Sequence, residues 1–277
     1  MRNLSYFLAI LGGVAGAFPT GASAQQAEGD APQNGTLRAG YDYATGKYGT
    51  DFRASTQTTR LAAAWFIGDW TLDLNIPYLR RDIESAVGAR GNRFGPRGGL
   101  IGASGRVPPG GRIVHAVTEG LGDVTTTASR YFYGEGADAM VWELGVAVKW
   151  DTGNTDLNLG SGARDYTLIG GGFKRLGAWS LGSSITYTFV GVPAGADYKD
   201  VWGASFDASY RLGDAWRTGG SLALEQSSVP GAQAPRSLSA FVSYRLHRIA
   251  RLQVSANHGL SDASPAWGAG ASLIFSY

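Results

Sequence analysis

Residues 267–277 place Trp267, Ala269, Ala271, Leu273, Phe275 and Tyr277 at every second position, with Gly, Ser or Ile between them. Successive side chains of an extended strand point to opposite faces, so these six share one face. An aromatic group at each end, with small or apolar groups between, is the pattern of a strand that crosses lipid with its aromatics at the two interfaces. The same period of two recurs in Leu37, Ala39, Tyr41 and Tyr43, in Leu61, Ala63, Trp65 and Ile67, and in Trp70, Leu72, Leu74, Ile76 and Tyr78. Met140, Trp142, Leu144, Val146, Val148 and Trp150 give it again, as do residues 179–189, 202–212, 216–224, 238–246 and 252–256. Segments 124–133 and 166–175 have strand character, but their sequences leave open which face is apolar. This predicts about twelve strands, an even number that returns both ends of the chain to one side.

The connections fall into two classes. Gly68-Asp69, Gly177-Ala178 and Gly213-Asp214-Ala215 are tight turns, each followed at once by a tryptophan (Trp70, Trp179 or Trp216). Gly and Asp supply the backbone conformations that such hairpins require. Alternating with them are longer polar stretches at 45–54, 151–163, 191–199, 227–236 and 261–265. The longest is 82–118, which carries Arg90, Arg93, Arg97, Arg106 and Arg112, follows Arg81, and contains Pro108-Pro109. It reads equally as a flexible extracellular loop or as a segment folded into a lumen. Segregated loop lengths have no cause in a soluble sandwich, whereas outer-membrane barrels show them, with short turns and both termini periplasmic. The expected fold is therefore all-β: an antiparallel transmembrane β-barrel of about 12 strands with periplasmic termini.

The other end of the chain points the same way. Arg2, the apolar run 4–18 and Ala22-Ser23-Ala24 have the form of a cleavable signal peptide over residues 1–24, too short for a bilayer-spanning helix. A short segment, 25–34, then leads into a single barrel over 35–277. No later stretch is long and apolar enough for a membrane helix, so lipid would have to be crossed by strands. Removing residues 1–24 takes away one arginine and no acid, so the formal charge of +2 becomes +1 and gives no reason to expect nucleic acid. Without cysteine, the chain can form neither disulfide nor thiolate metal site, and barrel closure, which leaves no free edge, is one other way to hold an exported sheet together.

If the apolar positions face lipid, the opposite ones line the lumen. They hold Arg38, Asp42, Arg60, Asp73, Glu143, Lys149, Asp207, Arg211, Arg217, Glu225, Arg245 and Arg251. Facing lipid at midplane, an Arg or Lys would cost about 2–4 kcal/mol, so their inward register tests the assignment. Arg211, Arg217, Arg245 and Arg251 lie beside short turns, and closure brings Arg38 near them. This basic arc either favours anionic solutes at the mouth or pairs with Asp207, Asp73 and Glu225 in a network that holds the barrel's shape. Catalysis finds little support. The three histidines, His115, His247 and His258, are dispersed, and none sits in the Ser/His or Asp/His arrangement of a barrel hydrolase. No metal-ligand spacing occurs, and no cofactor is implied.

Ile76-Pro77-Tyr78, Gly120-Leu121-Gly122-Asp123-Val124, Asp151-Thr152-Gly153 with Gly160-Ser161-Gly162 and Asp165-Tyr166, and Thr186-Tyr187-Thr188-Phe189-Val190-Gly191 occur in this order. Together they resemble the outer-membrane barrel family named for the MetA pathway of phenol degradation. That resemblance implies a transporter in a Gram-negative outer membrane, carrying small molecules, aromatic or hydrophobic compounds among them, by passive uptake or efflux. The expected partners are outer-membrane lipid, the solute and the barrel assembly machinery. Ser272 stands five residues before the terminal aromatic, where many such barrels carry glycine. The alternatives are a plugged, partner-binding barrel and, behind it, a barrel hydrolase.

Overall fold

The computed structural model describes residues 34–48, 52–87, 93–94, 112–136 and 139–277. The expected signal peptide, most of segment 25–34 and the middle of the long loop, with Arg90, Arg97 and Arg106, lie outside them. The described residues form fourteen strands: β1 (Gly35–Gly46), β2 (Ala54–Ile67), β3 (Trp70–Val87), β4 (Arg93–Phe94), β5 (Arg112–Leu121), β6 (Thr125–Tyr133) and β7 (Met140–Lys149), then β8 (Asp165–Leu176), β9 (Trp179–Phe189), β10 (Val201–Leu212), β11 (Trp216–Glu225), β12 (Arg236–His247), β13 (Ala250–Gly259) and β14 (Trp267–Ser276). All pairings are antiparallel between neighbours, and the ring closes where Leu37 faces Phe275 and Tyr43 faces Ala269. The final strand thus pairs with the first, as its alternation predicts.

Twelve wall positions result because β5 and β6 share one and the two-residue β4 pairs only with the far end of β3. The first part of β3, from Trp70 to Asn75, pairs with β6, and the part from Tyr78 to Val87 pairs with β5. This corrects the expected loop 82–118: β3 runs to Val87, β5 starts at Arg112, and His115 belongs to a strand. Arg80, Asp82 and Glu84 look like loop residues in sequence. They sit beyond the outward Tyr78, where the hairpin has passed the level of the aromatic residues and its outer face no longer needs to be apolar. On that face Arg80 stands opposite Glu119, and the His115 ring lies 3.0 Å from Asp82.

The wall is strongly staggered. Stepping square to the strands from Leu37, near the terminus edge, the paired positions run through Ala63, Leu74, Thr126 and Val148 to Tyr166 near the opposite edge. Such a stagger over twelve strands corresponds to a tilt of about 40° and, at about 4.8 Å between strands, a backbone radius of about 12 Å. The apolar set faces outward. All eight tryptophans lie on that face: Trp65, Trp70, Trp142, Trp179 and Trp216 toward the terminus edge, and Trp150, Trp202 and Trp267 toward the other. Trp142 and Trp150 stand roughly 20 Å apart along the axis, at about 3.3 Å per residue and this tilt, close to the height of a lipid-facing band. Between them Leu144 is 60% exposed.

The break between β5 and β6 is bolted by the loop 150–164. Asp123 accepts hydrogen bonds from the Gly153 and Ser161 amides, both at 2.9 Å, and Lys149 bridges it (3.8 Å) to Asp165 (2.6 Å). Thr152 Oγ1 accepts from the Val124 amide and donates to the Gly122 carbonyl. Leu159 is buried against Gly120, where a Cβ would meet its Cδ1 at 2.9 Å. Nearby, the buried Arg81 donates to the Asn158 carbonyl, and Tyr48, Ala54 and Ile83 form a small core. Tyr48 and Asn158 both take left-handed backbone angles (φ 48 and 54), a strain that the surrounding contacts hold in place. Burial raises the Tyr48 phenol pKa above its ordinary value.

Two outcomes follow from this arrangement. Leu144→Arg should destabilise the lipid-embedded barrel by about 2–4 kcal/mol in a denaturant titration followed by tryptophan fluorescence, whereas Gln253→Arg, on the inner face, should change it by less than about 1 kcal/mol. Asp123→Ala should leave two amides without their acceptor, each worth about 1–3 kcal/mol, and make loop 150–164 cleavable by protease while the barrel stays intact.

Candidate functional site

The lumen is lined by residues of the parity opposite to the exposed apolar set. All twelve charged residues singled out from sequence have that parity: Arg38 and Asp42 on β1, Arg60 on β2, Asp73 on β3, Glu143 and Lys149 on β7, Asp207 and Arg211 on β10, Arg217 and Glu225 on β11, Arg245 on β12, and Arg251 on β13. They divide into two levels. Toward the loop edge, Arg60 and Asp42 face each other at 4.0 Å, and Lys149 is held by Asp165 and Asp123. Glu225 stands at the end of β11, near the same edge.

Toward the terminus edge the charges separate by wall. Arg211 stands opposite Arg217, and Arg245 opposite Arg251, while the row from Arg251 continues through Ile274 to Arg38. Ser243 links the two couples: it stands opposite Arg217, and its hydroxyl lies 3.3 Å from Nη1 of Arg251. The Asp207 carboxylate, higher on β10, accepts from Ser205 Oγ at 3.1 Å, and Ser205 lies 2.9 Å from Ser184. Across the lumen are the acids. Asp73 is on β3, and on β7 Glu143 accepts from the Tyr131 hydroxyl at 3.1 Å. The low-dielectric wall between strands keeps this separation of sign effective across a narrow lumen.

The structure adds residues that the periodicity missed. Arg175 stands on β8 opposite Ser180, at the terminus edge and on the inward parity, extending the basic arc by two strands. Its strand had no legible facing because Gly170-Gly171-Gly172 interrupts the contrast; Tyr166, Leu168 and Leu176, all exposed, settle it. Tyr131 was hidden in the same way, behind Thr125-Thr126-Thr127. Ser184, Ser205, Ser221, Ser239, Ser255 and Ser272 are also inward, one on each of six consecutive strands. Serine is common in turns and half-buried strands, so no sequence signal marks them as a set. His247 and His258 are separated along β12 and β13, and among the described residues no group of His, Asp or Glu has the arrangement of a metal site.

No family model matches the chain, and no curated protein matches it. Solved structures do match. The COG4313 outer membrane channel from Pseudomonas putida F1 superposes with a TM-score of 0.63 at 14% identity, covering 90% of this chain and 99% of that one. The KdgM porin gives 0.54 at 9% identity (87% and 99% covered), and the NanC porin 0.53 at 8% identity (88% and 98% covered). At these identities the likeness is one of architecture: this chain is built as a closed twelve-stranded β-barrel of the outer-membrane type.

Proposed function

We propose that the protein is a passive outer-membrane channel for small water-soluble molecules in a Gram-negative bacterium. It would reach that membrane through its signal peptide and be inserted by the barrel assembly machinery. The observation that carries this reading is the opposition of the two faces. A wall whose outside holds every tryptophan and whose inside holds serines, threonines, glycines and ion pairs has put its polar groups where only water or a solute can meet them. Support also comes from the fold, which the matched porins and channel share. The resemblance to the MetA-pathway family suggests aromatic or hydrophobic cargo. The polar lining favours solutes that carry a charged or hydroxyl group, aromatic or not, since a purely hydrophobic solute would gain nothing from such a wall.

Purified barrel reconstituted into planar bilayers should give stepwise, ohmic conductance that scales with salt, and in proteoliposomes swelling should be faster in arabinose than in raffinose. Electrical silence with no swelling in any sugar would instead favour a plugged, partner-binding barrel.

A further inference from the structure

We infer that the half of the wall formed by β9–β14, with its continuation onto β1, is a binding track for small hydroxylated carboxylates, such as sugar acids and hydroxy acids. This rests on the channel reading and gives it a substrate class. Two features at successive heights carry the inference. At the terminus edge, Arg211 with Arg217 and Arg245 with Arg251 form two register-facing couples joined at Ser243, and Arg38 follows on the row of Arg251. Like charges set on adjacent strands repel one another, and a carboxylate at the exposed Arg211 and the half-buried Arg245 and Arg251, with Arg217 buried beside them, eases that repulsion while accepting charge-assisted hydrogen bonds. Directly above, one serine projects inward from each of six consecutive strands, Ser184 and Ser205 already lying within hydrogen-bond distance of each other.

A solute with a carboxylate at one end and hydroxyls along its length matches this vertical order. Its carboxylate lies at the arginines and its hydroxyls exchange with the serine ladder as it moves. The opposite wall works against the reverse placement. Asp73 and Glu143 repel a carboxylate, with Tyr131 bound to Glu143 between them, and Asp207, beside Ser205 and Ser221 in the serine ladder, keeps the carboxylate end down at the arginines. Gly203 and Gly219 make way for the Thr186 hydroxyl and the Phe241 ring, so that these two side chains share the inner face with the serines.

The test is conductance in potassium chloride with gluconate, propionate or glucose added, on the wild-type barrel, on Arg245→Gln/Arg251→Gln, and on Arg211→Gln, whose side chain is exposed. Gluconate should reduce the wild-type chloride current in a saturable way, propionate more weakly, and glucose not at all. Both variants should still open, with the half-blocking gluconate concentration raised about tenfold or more in the double variant. Equal block by propionate and gluconate would overturn the hydroxyl track, and unchanged gluconate block in both variants would overturn the arginine site. Calorimetric titration of gluconate onto the barrel in micelles separates the two levels: binding lost in the double variant supports the site even if bilayers stay silent, in which case the channel reading fails alone.

Discussion

A peptide N–H or C=O in the middle of a bilayer has no water to bond, and leaving it unsatisfied costs several kcal/mol. That constraint governs this chain. A sheet can satisfy every group only by returning to its own first strand, and it does so where β14 meets β1. Once the ring is closed, alternation along each strand becomes a sorting rule. One parity meets lipid and the other meets the lumen, and a slip of a single residue would turn Asp73 and Asp207 toward hydrocarbon. The inward charges are therefore a consequence of closure as well as the material of the site.

Closure also sets what the lumen can do. Twelve strands with this stagger enclose a space in which the arginine couples of β10–β13 and the acids of β3 and β7 lie within reach of the same small molecule, with Asp207 higher on the arginine side. The local exception to regular pairing, between Leu121 and Thr125, needs its own repair. Asp123, Lys149 and Asp165 supply it, drawing loop 150–164 across the discontinuity. The Gly-Leu-Gly-Asp and Gly-Ser-Gly elements that stand out in the sequence are the two sides of this bolt. Gly120 and Gly160 are small because Leu159 and the Gly153 backbone come close to them.

Strand number, closure and the facing of most strands were legible because tryptophan and leucine alternate with charge over long segments. Trp142 to Trp150 is the clearest instance. Legibility failed where contrast failed. Thr125-Thr126-Thr127 and Gly170-Gly171-Gly172 carry no facing signal, so Tyr131 and Arg175 escaped notice. It failed again where the wall leaves the level of the aromatic residues. In the hairpin of β3 and β5 the outer face is charged, and a period that depends on lipid for its contrast disappears. The arginine arc was legible as a list of residues near turns. That Arg245 faces Arg251 in register, on a row leading to Arg38, depends on shear, which no local pattern encodes.

The opposition of the two faces is the property on which closure, lumen and site all depend, and the absence of cysteine from the chain makes it measurable. Single substitutions to cysteine along β7, at Trp142, Glu143, Leu144, Val146 and Ala147, can be probed in proteoliposomes with a membrane-impermeant and a lipid-soluble maleimide. Glu143 and Ala147 should label with the water-soluble reagent and Trp142, Leu144 and Val146 only with the lipid-soluble one. Uniform labelling along the strand, or alternation of the opposite sense, would contradict it.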